Sequence, residues 1–303
     1  MDFDLTEEQK IWKKAVHDFV VKEVQPKAHE VDVTSEFNWN ATRKMGPLGL
    51  LSLNIPEEYG GAGVDAVSAA IALEEIGWGC GSTALAVAAH NGLGTTPIVL
   101  YGTEALKQKW LPLVASGQNK LAALALTEPG TGSDLQGGVT TKAVKDGNEW
   151  VINGTKMWCT NASIAEYIIT FVRTDPEGGS RSLSQILVPT DTPGLTIGPA
   201  EKKMGLHGSP THAVTYQDVR VPLGNLIGEE GMGFRYIIDG WNAERILVAA
   251  EAVGDGRWFV ARAAKYASER VVFGRAIGSN PGLQCPIAKA YANAEAAELV
   301  RYQ

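Results

Sequence analysis

The apolar residues of this chain change period twice, and the two changes fix its architecture more tightly than any single motif does. From Thr6 to about Lys120 the spacing is helical: Thr6-Glu7-Glu8-Gln9 reads as a capping box, followed by Ile11, Ala15, Phe19 and Val20 three to four residues apart. Further helices are predicted over Ala66–Ile76 and Glu104–Ala115, with breaks at Pro56–Gly61 and Gly77–Gly81. Between Leu121 and about Val221 the texture becomes short β-branched and aromatic runs, at Val139–Val144, Glu149–Asn153, Tyr167–Arg173, Gln185–Val188 and Ala213–Tyr216. Asp146-Gly147 marks a hairpin of the type I′ kind, which requires positive φ at both central residues. From Gly231 the helical period returns through Phe234, Ile237, Ile238 and Trp241, then Ile246–Val253, then Trp258, Phe259, Ala263 and Tyr266. Gly254 and Gly256 count against one unbroken helix there. The order predicts a multi-domain α+β chain, helical over 1–120, β over 121–223 and helical over 224–303.

Composition narrows the function. With 303 residues, 45% of them hydrophobic, the chain can bury a sizeable core. No run approaches the ~20 apolar residues of a membrane span, and the start, Met1-Asp2-Phe3-Asp4, is acidic rather than a basic leader. A cytoplasmic, bacterial protein is the expectation, with a processed organellar one as its alternative. The net charge of −7 without a basic cluster argues against nucleic acid, yet leaves room for a phosphate-bearing ligand. Cys80, Cys159 and Cys285 show no C-x-x-C spacing, and the histidines no H-E-x-x-H, so neither a disulfide framework nor a metal site is expected. His90 and His212 read as packing or surface residues. G-x-S-x-G, Walker and G-x-G-x-x-G motifs are missing too, so any dinucleotide is held by something other than a Rossmann turn.

Chemistry concentrates in two stretches. Leu126-Thr127-Glu128-Pro129-Gly130-Thr131-Gly132-Ser133-Asp134 ends a strand in a turn that exposes backbone N–H groups and small hydroxyls. Lys156-Met157-Trp158-Cys159-Thr160-Asn161, about 25 residues on, offers an indole to cover a flat ring and a hydroxyl beside it.

These two motifs, at this separation in an α–β–α chain, resemble the acyl-CoA dehydrogenase family. Ile55-Pro56-Glu57-Glu58-Tyr59-Gly60-Gly61, Met204-Gly205 leading to Asp218-Val219-Arg220-Val221-Pro222, and Glu269-Arg270-Val271-Val272-Phe273-Gly274-Arg275 resemble family segments as well. The resemblance implies an N-terminal helical domain, a β-barrel-like middle domain and a C-terminal helical bundle, with FAD between the last two. It implies that Leu126 and Thr127 bond the flavin, that Trp158 packs on it with Thr160 near its N5, and that Ser133 contacts the coenzyme A arm. Arg270 and Phe273 resemble residues that reach the FAD of a neighbouring subunit, implying a homo-oligomer, usually a dimer of dimers. Gln284 fits a glutamine near the adenine half, while Pro281 stands where relatives often carry another.

The implied reaction is α,β-dehydrogenation of an acyl-CoA thioester: a carboxylate removes the α proton while a hydride leaves the β carbon for the flavin, whose electrons pass to an electron-transfer flavoprotein. Trp241-Asn242-Ala243-Glu244-Arg245 resembles the isovaleryl- and long-chain-type members, which carry the base on this helix. Glu244 is therefore the expected base, and Glu251, seven residues on along nearly the same face, is its rival. Trp241 and Arg245 are expected at the substrate, where the Trp241 bulk favours short or branched acyl chains. The resemblance also implies further helices after Gln303, including the family's second base position. Alternatives on the same fold are an oxygen-using oxidase, a flavin monooxygenase and a non-catalytic flavoprotein.

Overall fold

Thr6 starts the first helix through the capping box its sequence predicts. The Gln9 amide donates to Thr6 Oγ1 at 3.2 Å and the Thr6 amide to Gln9 Oε1 at 3.1 Å. The structure, a computed structural model, describes residues 4–179 and 181–302. Met1, Asp2 and Phe3 of the acidic start, and Gln303, lie outside the described residues. The first part is helical: α1 (Glu7–Phe19), α2 (Ala28–Thr34), α3 (Trp39–Met45), α4 (Ala66–Gly79), α5 (Gly81–Ala88), α6 (Thr96–Tyr101) and α7 (Glu104–Ala115). A π-helical stretch, Ala89–Thr95, joins α5 to α6. The predicted break at Gly77–Gly81 shrinks to Cys80, because Gly77 and Gly79 stay helical and let neighbours approach. A Cβ on Gly77 would meet the Glu251 backbone oxygen at 2.7 Å, and one on Gly79 would strike Val20 of the π-helical stretch that continues α1.

A curled sheet follows: β1 (Leu121–Ala125), then the short α8 (Leu135–Gly138), β2 (Lys142–Asp146), β3 (Glu149–Thr160), β4 (Ala165–Arg173), β5 (Leu183–Pro189), β6 (Leu195–Ala200) and β7 (Thr211–Pro222). The strand order is β1-β4-β2-β3-β7-β6, with β5 on β4. β1 and β4 run parallel, while the β2–β3, β3–β7, β4–β5 and β6–β7 pairs are antiparallel. Its interior is filled by Trp150, Ile152, Val172, Val188, Val214 and Tyr216, all buried; each buried valine or isoleucine is worth about 1.5–3 kcal/mol. Two expectations change here. The run at Val139–Val144 begins too early, since Val139 caps α8 and β2 starts at Lys142. In the hairpin, Asp146 pairs with Glu149, so Gly147 and Asn148 are the loop residues. Only Gly147 has positive φ, +60°, which is the type II′ pattern rather than type I′.

The last part is α9 (Gly233–Glu269), the small hairpin β8 (Val271–Val272) and β9 (Arg275–Ala276), and α10 (Pro281–Arg301). α9 runs unbroken for 37 residues through Gly254 and Gly256, against expectation. Gly254 presses on the α4 backbone, where a Cβ would meet Trp78 N at 2.8 Å. The glycine is there for close helix packing, and its low helix propensity is overridden by what the contact buries.

Candidate active site

β1 delivers Leu126 and Thr127 from its C-terminal end, and a buried ion pair fixes the turn that follows. Lys156 Nζ donates to Glu128 Oε1 at 2.8 Å and to the Leu126 carbonyl at 3.0 Å. Glu128 accepts three more hydrogen bonds, from the Thr140 amide (2.8 Å), the Thr140 hydroxyl (2.6 Å) and the Thr141 amide (2.9 Å). Burial opposes its charge, but the Lys156 ammonium and these donors outweigh burial and hold the carboxyl down to about 2. The turn itself closes by paired bonds between Glu128 and Thr131, at 3.0 and 3.1 Å. Gly130 and Gly132 have negative φ and nothing within 4 Å of a built Cβ, so the outer face of this turn is clear. The Thr131 hydroxyl is spent inward on the Asp134 carbonyl at 2.7 Å, whereas Ser133 is exposed.

Trp158 is presented by a β-bulge. Lys156 pairs with Val214 and Cys159 with His212, so Met157 and Trp158 together oppose Ala213. The extra residue turns the strand, and Trp158 takes a φ of +57°, a strained value for a bulky side chain. Its indole is left 57% exposed. Met157 N donates to the Thr127 carbonyl at 2.7 Å, tying the bulge to the first motif. Below, Cys159 donates to the Leu124 carbonyl at 3.2 Å, its thiol pushed up to about 12 by burial. The result is a cavity of about 170 Å³ lined by Leu126, Thr127, Met157, Trp158, Thr160 and Trp241, with Ala89 and Leu93 from the π-helical stretch.

Glu244 stands on α9 one turn after Trp241, and its carboxyl lies against Gly92 of the π-helical stretch whose Ala89 and Leu93 line the cavity. Its carboxyl is buried, its Oε2 has no hydrogen-bond partner, and burial pushes it up to about 8. Glu251 is likewise buried and likewise raised to about 8, by burial first and then by the Asp255 and Glu244 charges. Its Oε2 also has no hydrogen-bond partner, and it lies about 10.5 Å further along the axis at 1.5 Å per residue; neither carboxyl lines the cavity itself, and Glu244 is the nearer of the two to Trp241 along α9. Arg245 is exposed, its guanidinium 5.6 Å from the Trp241 ring centre. His90, within the π-helical stretch, is enclosed, with Nε2 2.8 Å from the Leu51 carbonyl and Nδ1 accepting from the Ala122 amide at 3.0 Å. Burial depresses it to about 4, so it is neutral.

Not every expected residue gathers here. Leu126, Thr127, Trp158, Thr160 and Trp241 line one cavity; Arg270, which caps α9, is roughly 39 Å along that helix from Glu244, Phe273 follows it in the β8–β9 hairpin, and Gln284 stands in the first turns of α10. Phe273 is fully exposed at the tip of the β8–β9 hairpin, and Gln284 donates to the Gly278 carbonyl at 2.7 Å. Pro281 opens α10 at its first turn, with Asn280 as N-cap, a position where a missing N–H costs nothing. Residues without an assigned role in the sequence reading turn out to build the site: Glu128, Lys156 and Met157 orient the two motifs. Their only signal was membership of those motifs.

Three stretches of the chain match, in order, the acyl-CoA dehydrogenase N-terminal domain over residues 6–118, the middle domain over 123–219 and the C-terminal domain over 231–303. The chain belongs to the acyl-CoA dehydrogenase family. It is 45% identical over 289 residues to the probable acyl-CoA dehydrogenase YngJ of Bacillus subtilis, covering 95% of this chain and 76% of that protein. Butyryl-CoA dehydrogenase from Megasphaera elsdenii superposes with a TM-score of 0.94 at 35% identity, over 100% of this chain and 79% of that one. An acyl-CoA dehydrogenase from Bacillus anthracis, solved in complex with FAD, superposes with a TM-score of 0.90 at 38% identity, over 99% of this chain and 52% of that one. This acyl-CoA dehydrogenase is thus an oxidoreductase of a flavoprotein family whose cofactor is FAD, and its residues fit that group. Leu126, Thr127, Trp158 and Thr160 line one cavity, Trp158 remains largely exposed, and the outer face of the turn at Gly130 and Gly132 is clear. Among the described residues no helix is long and apolar enough to cross a membrane, and no cluster of three metal-binding side chains occurs.

Proposed function

We propose that the chain converts an acyl-CoA thioester to the trans-2-enoyl-CoA, with Glu244 as the base that takes the α proton. The observation that carries this is the Glu244 carboxyl: buried, with an oxygen free of hydrogen bonds, and set against the helical stretch whose Ala89 and Leu93 line the Trp158 cavity. An ionised carboxylate in such surroundings has lost its water, so its affinity for a proton is high, and the raised pKa of about 8 expresses this. Leu126 and Thr127 hold one edge of the flavin ring, Trp158 covers a face, and Thr160 stands beside it. FAD, when bound, accepts the β hydrogen with its electron pair. Trp241, stacked with Arg245, bounds the acyl end, and exposed Ser133 meets the coenzyme A arm. Arg270 and Phe273 serve the FAD of a neighbouring subunit, which the length of α9 between Glu244 and Arg270 supports, and Gln284 stands near its adenine half; the assembly is a homo-oligomer, a dimer or a dimer of dimers. An electron-transfer flavoprotein takes the electrons onward, in the cytoplasm of a bacterium.

The Trp241 bulk, together with the likeness to butyryl-CoA dehydrogenase, supports a short or branched acyl chain. A panel of acyl-CoA thioesters tests this reading, with loss of the flavin's yellow absorbance and the enoyl product as readouts. Short or branched chains are expected to react fastest, and Trp241→Ala to shift the preference to longer ones. An unchanged profile in that variant refutes the pocket role, and rapid turnover with oxygen alone refutes the electron-transfer acceptor.

A further inference from the structure

We propose that Gly92 is a positioning residue for Glu244: the side chain that glycine lacks is the seat in which the carboxyl lies. A Cβ built on Gly92 falls on Glu244 Oε2, and lies 2.6 Å from its Cδ and 3.4 Å from its Oε1. All of the three nearest atoms belong to Glu244. The inference rests on Glu244 as base, and adds what holds it.

The backbone does not require glycine at this position. Gly92 is buried inside the π-helical stretch Ala89–Thr95 and its φ is not positive, so an alanine would adopt the same conformation and favour the helix. Gly94, two residues on, is different: its Cβ would meet the Ala122 Cβ at 2.6 Å, so that glycine serves the packing of β1. At Gly92 the space is filled by one carboxyl.

Shape therefore does what polar contacts do not. Glu244 Oε2 has no hydrogen-bond partner, so nothing but its surroundings fixes where it points. The seat in turn cannot retreat. Asn91 is held by bonds with Leu53 N (3.0 Å), Leu50 O (3.0 Å) and Val87 O (3.1 Å), and His90 by its contacts with Leu51 and Ala122. A methyl group added at Gly92 displaces the carboxyl rather than the backbone.

Two cycles on the intact, FAD-loaded protein test this. In denaturant unfolding, Gly92→Ala is expected to lower the midpoint when Glu244 is present, and to leave it unchanged or raise it in a Glu244→Ala background, where the collision is gone. In turnover with acyl-CoA, Gly92→Ala is expected to slow α-proton removal about 100-fold, the scale of a small misplacement of a reacting group. Glu244→Asp, slower than the native enzyme on its own, is expected to restore part of the rate when combined with Gly92→Ala, because the shorter side chain withdraws from the methyl. Equal destabilisation in both backgrounds, or no rescue by Glu244→Asp, overturns the proposal. The unfolding cycle judges the seat without reference to catalysis, so it stands apart from any failure of Glu244 as base.

Discussion

At the scale of single residues, the Glu128–Lys156 pair decides whether the two motifs meet. Both side chains are withdrawn from solvent, and Lys156 also bonds the Leu126 carbonyl, so one ammonium fixes the strand end that carries Thr127 and the strand that carries Trp158. Lys156→Met leaves a buried carboxylate unpaired and is expected to cost about 3–5 kcal/mol near pH 7 by denaturant unfolding. The pH dependence has a definite sign. The Glu128 carboxyl is held down to about 2 from an ordinary 4.5, so its share of stability is present above about 4.5 and is lost as pH falls toward 2. Lys156→Met removes the largest of the groups that lower it, leaving the Thr140 and Thr141 donors, and should flatten that acid limb; an unaltered acid limb would refute the pair's role. Trp158 and Glu244 could be singled out as candidates from the sequence because an indole and a helix acid stand out within recognisable motifs. The ion pair was not legible, since its partners are 28 residues apart and only the β1–β4–β3 surroundings bury both.

At the scale of elements, the bulge in β3 and the glycines of the α4–α9 contact shape the site. The bulge adds one residue and so turns Trp158 out of a strand that would otherwise alternate it inward or outward by register. Nothing in the period-2 pattern announces this, because the signal is an extra residue relative to a partner strand some 55 positions away. The capping box of α1 and the span Glu104–Ala115 were legible because caps and periodicity are local. Gly254 was misleading for the opposite reason: its value is tertiary, and local propensity points the other way. A side chain there would collide with the α4 backbone at Glu74 and Trp78. Gly254→Leu is expected to destabilise by at least the ~1–3 kcal/mol typical of overpacking, and, by tilting α9, to slow turnover; unchanged thermal unfolding would contradict the packing role.

At the scale of the whole molecule, α9 carries the proposed base, Glu244, in its first half and leads into the hairpin of Arg270 and Phe273 at its C-terminal end. A charge cluster anchors it: Glu74 of α4 pairs with Lys13 of α1 (3.2 Å), with Arg257 of α9 and with Arg301 of α10 (2.7 Å). Overall architecture was legible because the helix–strand–helix order survives in one sequence, whereas the distance between Glu244 and Arg270 depends on α9 running unbroken through Gly254 and Gly256, which local propensity argues against. The account stands or falls on Glu244. The most direct measurement is the rate at which the α hydrogen of a bound acyl-CoA exchanges with deuterium from solvent, in the native protein and in Glu244→Gln and Glu251→Gln. Exchange is expected to fall about 10²–10⁴-fold in Glu244→Gln, with the protein still yellow, and to persist in Glu251→Gln. Exchange near the native rate in Glu244→Gln would contradict the assignment of the base.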